Sequence, residues 1–383
     1  MKTFRHYMPV DLHFGNGRLN DASLFNLPFH KALIITGKES TEGASHAFSV
    51  LLKNLESQSI QYVIDDSITH PLSKQDIQSA IETAKENNCD FVVGFGGGKT
   101  LDAAKLVARF IKEEFTLFDG WMKSQMIPPF ENSPMYLLSI PTSFNNASAL
   151  NPKAFLYDLQ RRRQVRFKHE SLFPNKAIID PSILITLPSK VRFNPVIETF
   201  IRAIELIIGK YSLMHTWRAK ETLKVLIRYA PALNKDPLDE DALHHITYAL
   251  VNLYQLYLPK PWFPLNQISD AIEGYHEHLP NGAFITEAAI FYLNHRLETI
   301  TPETSETLKN LFKDTAFDSA NLYVSIGYFF NALKLEDNQL KKYGLELALV
   351  SDYMVHLKTI YPDFQALSND ALYDIIERTL IGE

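Results

Sequence analysis

A single cysteine, Cys89, stands in a chain of 383 residues. That excludes an intramolecular disulfide framework and any cysteine-rich zinc or iron–sulfur site. Its setting, Asn88-Cys89-Asp90-Phe91 ahead of an apolar run, predicts a semi-buried structural thiol rather than a nucleophile. Long hydrophobic runs are missing as well. Nowhere do about 18 apolar residues follow one another, so no membrane span is expected. The opening Met1-Lys2-Thr3-Phe4-Arg5-His6 has no apolar run of signal-peptide length, and the expected location is the cytoplasm. Positive charge is not in excess: Lys+Arg total 38 against 44 Asp+Glu, a net charge of −6. With no basic stripe to neutralise phosphates, nucleic acid is not an expected partner. The densest basic run, Arg161-Arg162-Arg163, reads as the solvated end of a hairpin. Internal repeats and low-complexity segments are also lacking.

What remains is a globular composition, 46% hydrophobic and 21% charged. The length calls for two cores, and the boundary is expected near 190, giving domains 1–190 and 191–383. In the first, short apolar runs alternate with polar helical stretches. Strands are expected at 31–35, 61–64, 90–95 and 136–141, and a helix at 43–57. A further helix is capped by Ser73, with Gln75-Asp76-Ile77 as its acidic first turn. Strand, helix, strand, helix predicts parallel strands with crossover helices, hence an α/β domain with a doubly wound parallel sheet. Beyond Pro195 the strand-like runs stop. Helical periodicity over 196–215, 217–231, 239–257, 284–297, 305–313, 317–332, 339–359 and 368–380 predicts an all-α second domain. Prolines such as Pro259, Pro261 and Pro264 mark joints.

The most informative local feature is Gly94-Phe95-Gly96-Gly97-Gly98-Lys99-Thr100-Leu101-Asp102-Ala103-Ala104-Lys105. A strand feeds three consecutive glycines, and a helix is expected to start near Lys99 or Thr100. Glycines let backbone N–H groups approach a pyrophosphate, and the helix N-terminus adds unpaired donors and partial positive charge. The pattern predicts an anion-binding loop for a dinucleotide. It is neither a Walker loop nor the usual Gly-x-Gly-x-x-Gly fingerprint. The alternative is a glycine-rich turn required by packing alone.

This loop resembles the cofactor loop of the iron-containing alcohol dehydrogenases and the related glycerol dehydrogenases. Other landmarks of that family follow in order. Phe14-Gly15-Asn16-Gly17-Arg18-Leu19 is similar to its opening hairpin turn, and Leu33-Ile34-Ile35-Thr36-Gly37-Lys38 to its first dinucleotide-domain strand. Ile140-Pro141-Thr142-Ser143 resembles its Ile-Pro-Thr-Thr segment, and 174–181 with Leu187-Pro188 the stretch entering its helical domain. The resemblance implies that Gly96, Gly97, Gly98 and Lys99 hold a pyrophosphate, with Asp102 in the same motif and Thr142 and Ser143 beside the nicotinamide ribose. Many relatives carry an Asp after the first strand. Here Gly37 stands there, followed by Lys38 and Ser40, so a phosphorylated ribose is tolerated and NADP(H) is expected over NAD(H).

The same resemblance implies a divalent metal, iron or zinc, held by an Asp, a His four residues later and two further His. In this chain those positions fall on Glu198, Arg202, Gln267 and Asn281, and a proton-relay His falls on Ala271. Arginine has no lone pair for a metal, and Gln and Asn offer only weak neutral oxygens. The expectation is therefore that the usual metal is not bound and that Arg202, paired with Glu198 one turn away, supplies part of its charge. A shifted site is the alternative, using Glu198, Asp270 and His276 or His278 from a segment that also holds Glu273 and Glu277. Otherwise those histidines are solvated, as His244-His245 are expected to be.

Three functions fit these features. The first is an NAD(P)(H)-dependent oxidoreductase acting on a small alcohol or aldehyde. There Arg202, Gln267 and Asn281 polarise the substrate oxygen, and Tyr275 or His276 gives the proton. The second is a catalytically degenerate homologue that binds nucleotide as a regulator or scaffold. The third is a lyase or cyclase related to dehydroquinate synthase, whose ligand set is equally absent. A homodimer is the candidate assembly.

Overall fold

The computed structural model describes residue 4 and residues 6–68, 71–124, 126–144, 147–158, 161, 163–186, 189–209, 211–256, 263–276, 278–280, 282–333 and 340–382. The chain divides into two compact units, one of them His6–Leu187 and the other carrying Pro188–Glu383.

The first unit runs β1 (Asp11–Phe14), β2 (Lys31–Ile35), α1 (Lys38–Gly43), α2 (Ser45–Ser57), β3 (Gln61–Asp65), α3 (Lys74–Glu86), β4 (Phe91–Gly96) and α4 (Gly98–Phe110). It continues through α5 (Phe115–Ser124), β5 (Tyr136–Pro141), α6 (Ala147–Leu150), β6 (Lys153–Asp158), β7 (Arg163–Lys168) and β8 (Lys176–Ile179). Six strands form one sheet in the order β1-β8-β5-β4-β2-β3, every pairing parallel. This is the doubly wound α/β sheet the sequence predicts. From β2 the chain goes to β3 on one side and then to β4 on the other. The strand order therefore reverses between β2 and β4, and a crevice opens at their carboxyl ends.

The central strands are buried on both faces, as crossover helices require. Leu33, Ile35, Val92 and Leu137 join Ile77, Ala80 and Ile81 of α3 and Leu106, Val107 and Phe110 of α4 in one core cluster. The alternate residues Ala32, Ile34, Phe91, Val93 and Phe95 meet Leu51 and Leu55 of α2 on the opposite face. The two-residue period of a strand produces this division. Ser73 caps α3 with a reciprocal box: its hydroxyl accepts from the Asp76 N–H, and the Asp76 carboxylate accepts from the Ser73 N–H. Cys89 is buried, and burial pushes its thiol up.

β6 and β7 pair antiparallel as the expected hairpin, with Arg161 exposed beside Asp158; Arg162 lies outside the described residues. The opening segment differs from expectation. Rather than closing a hairpin, β1 runs parallel to β8 in the register Asp11↔Lys176. The turn after it is held by Asp180, whose two carboxylate oxygens accept the Gly17 and Leu19 N–H groups at 3.0 Å each. Gly17 has φ 71°, where a side chain is disfavoured.

The second unit is helical: α7 (Ser189–Ile208), α8 (Leu213–Lys235), α9 (Glu240–Tyr254), α10 (Pro264–Tyr275), α11 (Ala283–Glu298), α12 (Pro302–Phe312), α13 (Leu322–Ala332), α14 (Val350–Ile360) and α15 (Asn369–Ile381). Its boundaries correct the periodicity in three places. α7 begins before Pro195 and stops at Ile208, because Gly209 makes the bend: a Cβ there would lie 2.5 Å from the Tyr211 ring. α10 is a helix the periodicity did not single out, since Pro264 reads as a joint although proline is well suited to a helix's first turn. The stretch 339–359 becomes short 3₁₀ turns and then α14, interrupted at Gly344 with φ 79°. Pro259 and Pro261 lie outside the described residues. Among the described residues no helix is long and apolar enough to cross a membrane.

Candidate active site

The glycine loop sits at the crevice between the ends of β2 and β4. Gly97, extended at φ −73° and ψ 180°, caps α4 without any side-chain acceptor of its own. The glycines there have separable reasons. A Cβ on Gly96 would lie 2.7 Å from Cβ and Oγ1 of Thr100, and one on Gly94 2.9 Å from the Ala104 Cβ. Close approach of α4 to β4 therefore accounts for both. Gly97 is different: its Cβ would meet only the Ser143 Oγ, at 3.7 Å, so packing does not demand glycine there. The bare backbone at Gly97 is thus free of the packing demand that fixes Gly94 and Gly96.

Around it the sequence-predicted residues converge. The Thr142 N–H donates to the Gly96 carbonyl at 3.0 Å, and Thr142 Oγ1 lies 3.4 Å from Ser40 Oγ. A Cβ at Gly37 would come within 3.9 Å of Thr100 Oγ1. Gly37, Ser40, Gly96, Gly97, Thr142 and Ser143 thus share the carboxyl edge of the sheet, with Lys38 exposed at the start of α1. Lys99 is partly buried in the first turn of α4.

Asp102 is turned to a different task. Its carboxylate accepts from Ser148 Oγ and from the Phe155 N–H, and it lies 3.6 Å from Lys105 Nζ. Lys105 donates in turn to Ser148 Oγ at 2.9 Å and to the Lys153 carbonyl at 2.6 Å. This fully buried pair ties α4 to α6 and β6. Burial pushes Asp102 up and Lys105 down to about 8, each resisted by the other's charge.

In the helical unit, Arg202 Nη2 donates to Glu198 Oε1 at 2.7 Å, one turn away on α7. The Asn266 side-chain amide of α10 reaches the same oxygen at 3.1 Å. The guanidinium carbon lies 5.3 Å from the Tyr254 ring centroid and 5.1 Å from that of Phe263. Such contacts are worth about 0.5–2 kcal/mol each, more as water is excluded. Arg202 Nε is buried and finds no acceptor among the described residues. Gln267 is buried on α10 beside Asn266, Ala271 is buried one turn further on, and Asn281 lies outside the described residues.

The two proton-donor candidates lie at the other end of α10. The ring nitrogen Nε2 of His276 is 2.7 Å from Tyr353 Oη of α14, and burial holds the imidazole below its ordinary value. Tyr275 is partly exposed, its ring edge-on to Tyr353 and His356. The residues of the alternative shifted metal site are dispersed. Asp270 accepts from Tyr361 Oη at 2.8 Å, while Glu273 accepts from Ser269 and from the Gly282 N–H. Glu277 lies outside the described residues. His244 and His245 lie on α9, where His245 stacks on Tyr229.

The sequence model of the family described as iron-containing alcohol dehydrogenase matches residues 9–181. That match covers less than half of the chain and lies wholly within the α/β unit. It is 26% identical to a long-chain primary alcohol dehydrogenase of Thermoanaerobacter ethanolicus over 59% of this chain and 56% of that one. It is 27% identical to the NADP-dependent alcohol dehydrogenase 3 of Entamoeba histolytica over 56% and 55%. The matched part thus spans about half the length of these curated relatives. The fold extends further: the NADH-dependent butanol dehydrogenase A of Thermotoga maritima superimposes with a TM-score of 0.80 at 17% identity, covering 99% of both chains.

For an iron-containing alcohol dehydrogenase fold, two bound groups must be weighed. The uncapped start of α4 and the open backbone at Gly97 suit a dinucleotide's pyrophosphate. The metal is another matter. At the positions the resemblance assigns to metal ligands, Glu198 is already held by a guanidinium and an amide, Arg202 has no lone pair to give, and Gln267 is neutral. No three His, Cys, Asp or Glu side chains are grouped for a metal among the described residues. This donor set does not fit iron or zinc. The residues that sequence reasoning missed are Asn266, Tyr254 and Phe263. Asn266 neighbours Gln267 in sequence, but only the helical start at Pro264 aims it at Glu198; the two rings come from elements that no local spacing links to Arg202.

Proposed function

We propose that this chain is an NAD(P)(H)-dependent oxidoreductase acting on a small alcohol or aldehyde, with its dinucleotide site in the α/β unit. The observation that carries this reading is the bare backbone at Gly97, at the uncapped start of α4 where the strand order reverses. Gly96, Gly97, Gly98 and Lys99 hold the pyrophosphate; Thr142 and Ser143 lie beside the nicotinamide ribose. Gly37, Lys38 and Ser40 receive the adenosine ribose, and with no carboxylate among them they accept a 2′-phosphate, so NADP(H) is the preferred form. A bound reduced nicotinamide supplies a hydride to a carbonyl carbon. Arg202, with Gln267 and Asn281, polarises the carbonyl oxygen by hydrogen bonding, and Tyr275 or His276 delivers the proton. The protein works in the cytoplasm, as a homodimer.

The test is a fluorescence titration with NADPH and NADH, followed by NADPH consumption with a panel of short aldehydes. Saturable binding with turnover supports the proposal, and absence of nucleotide binding ends it. A second reading, a degenerate nucleotide-binding regulator, is favoured by one observation: His276 is already engaged with Tyr353. Binding without turnover of any aldehyde selects that reading.

A further inference from the structure

We infer that Arg202 is a resident organic cation standing where an iron-containing relative would place its metal, and that it makes the helical unit metal-independent. The inference deepens the oxidoreductase reading and rests on it only for the reaction, since the cage itself stands on geometry.

Four observations converge on one side chain. The positive charge is neutralised locally, by Glu198 at 2.7 Å on the same helix face. The carboxylate oxygen that takes this bond is also taken by Asn266 from a second helix, so it has little left for a metal. The flat guanidinium lies against two rings, Tyr254 from α9 and Phe263 from the start of α10, a setting suited to a delocalised cation. Tyr254 is fixed in turn, its hydroxyl 2.9 Å from Thr199 Oγ1 on α7. α7, α9 and α10 therefore each contribute to the cage.

A divalent ion entering here would meet a like charge and a carboxylate with one oxygen already shared by two donors, and would have to displace Arg202 from beside the rings. α7 and α10 carry no imidazole, and those of α9, His244 and His245, lie in its first half, away from Tyr254 at its end. Yet the arginine keeps an open edge: its hydrogen bond to Glu198 uses Nη2 alone, and its side chain is 24% exposed. A guanidinium so held can donate to a substrate oxygen without the coordination chemistry of a metal.

The experiment uses the full chain, dialysed against a chelator and titrated calorimetrically with Zn²⁺ alone and, under anaerobic conditions, with Fe²⁺ alone. Wild type is expected to show no stoichiometric site for either ion. Arg202→His, which frees Glu198 and sets an imidazole one turn away, is expected to bind Zn²⁺ at least tenfold more tightly than wild type. Adding Glu198→Gln to that variant is expected to remove the gain. Stoichiometric Zn²⁺ or Fe²⁺ binding by wild type that Glu198→Gln abolishes would overturn the inference, and so would an Arg202→His chain, folded by circular dichroism, that binds no better than wild type. If Arg202→His does not fold, the wild-type titration still decides. NADPH titration of the same samples reports separately on the nucleotide reading, so failure of one is distinguishable from failure of the other.

Discussion

Glu198 Oε1 and Arg202 Nη2 lie 2.7 Å apart across one turn of α7, with side chains 18% and 24% exposed. The pair is neither a surface ion pair nor a fully dry one, and that sets what its removal costs. Arg202→Met strands a half-desolvated carboxylate with only Asn266 beside it. The expected loss is about 1–3 kcal/mol, less than the ~3–5 kcal/mol of a fully buried pair. Glu198→Leu combined with Arg202→Met should recover much of that loss. A urea-unfolding double-mutant cycle checks it; additive single effects would mean the two residues do not act together.

Gly96 and Gly97 are adjacent but should fail in opposite ways. Gly96→Ala drives a methyl group into Thr100 and should cost roughly 1–3 kcal/mol of stability. Gly97→Ala meets nothing closer than 3.7 Å and should leave the melting temperature nearly unchanged. Its effect is expected on NADPH, roughly a tenfold weakening, about 1.4 kcal/mol. Melting curves and nucleotide titrations of the two variants separate fold from function.

The buried Asp102–Lys105 pair predicts strong asymmetry between single and double replacement. Lys105→Met leaves the Asp102 carboxyl without its counter-ion in the interior, an expected loss of about 3–5 kcal/mol. Asp102→Asn together with Lys105→Met should be markedly more stable than Lys105→Met alone. Chemical denaturation of the three variants measures the difference, and equal stability of single and double would refute it.

His276 gives a pH dependence with a definite sign. Burial places its folded-state value below 6.5, so the unfolded chain takes up a proton first as the solution is acidified. The stability owed to the neutral ring is complete above pH 6.5 and is lost as pH falls through the lowered folded-state value. Wild type should therefore lose more stability than His276→Gln between pH 7.5 and 5. Parallel pH profiles for the two proteins would contradict this.

Gly37→Asp should reverse the nucleotide preference. A carboxylate after β2 can accept from ribose hydroxyls and repels a 2′-phosphate. NADPH affinity is expected to fall roughly tenfold or more while NADH affinity holds or rises. Dissociation constants for both nucleotides, measured on wild type and variant, decide it.

Much of the α/β unit was legible in the sequence, because its signals are local. The strand at 136–141, the Ser73 cap and the glycine loop each declare themselves within a dozen residues. The Glu198–Arg202 bond was legible for the same reason, being an i,i+4 relation on one helix. What escaped depends on contacts distant in sequence. Asp180 pulling Gly17 and Leu19 inward, Tyr254 and Phe263 against Arg202, and His276 meeting Tyr353 all join segments with no shared local pattern. The tail of the glycine motif shows the same limit: Asp102 follows the loop in sequence, but its partners Ser148 and Phe155 come from α6 and β6.

The pairing of β1 with β8 governs the order in which this protein can be made. Asp11 leaves the ribosome early, but its neighbour in the sheet, Lys176, is translated only after almost all of the α/β unit. Until then β1 has no strand to join, and the β5 edge that β8 will cover stays open. Synthesis of the N-terminal half is thus a waiting period with an exposed sheet edge, ended by four residues, Lys176–Ile179, that close both gaps at once.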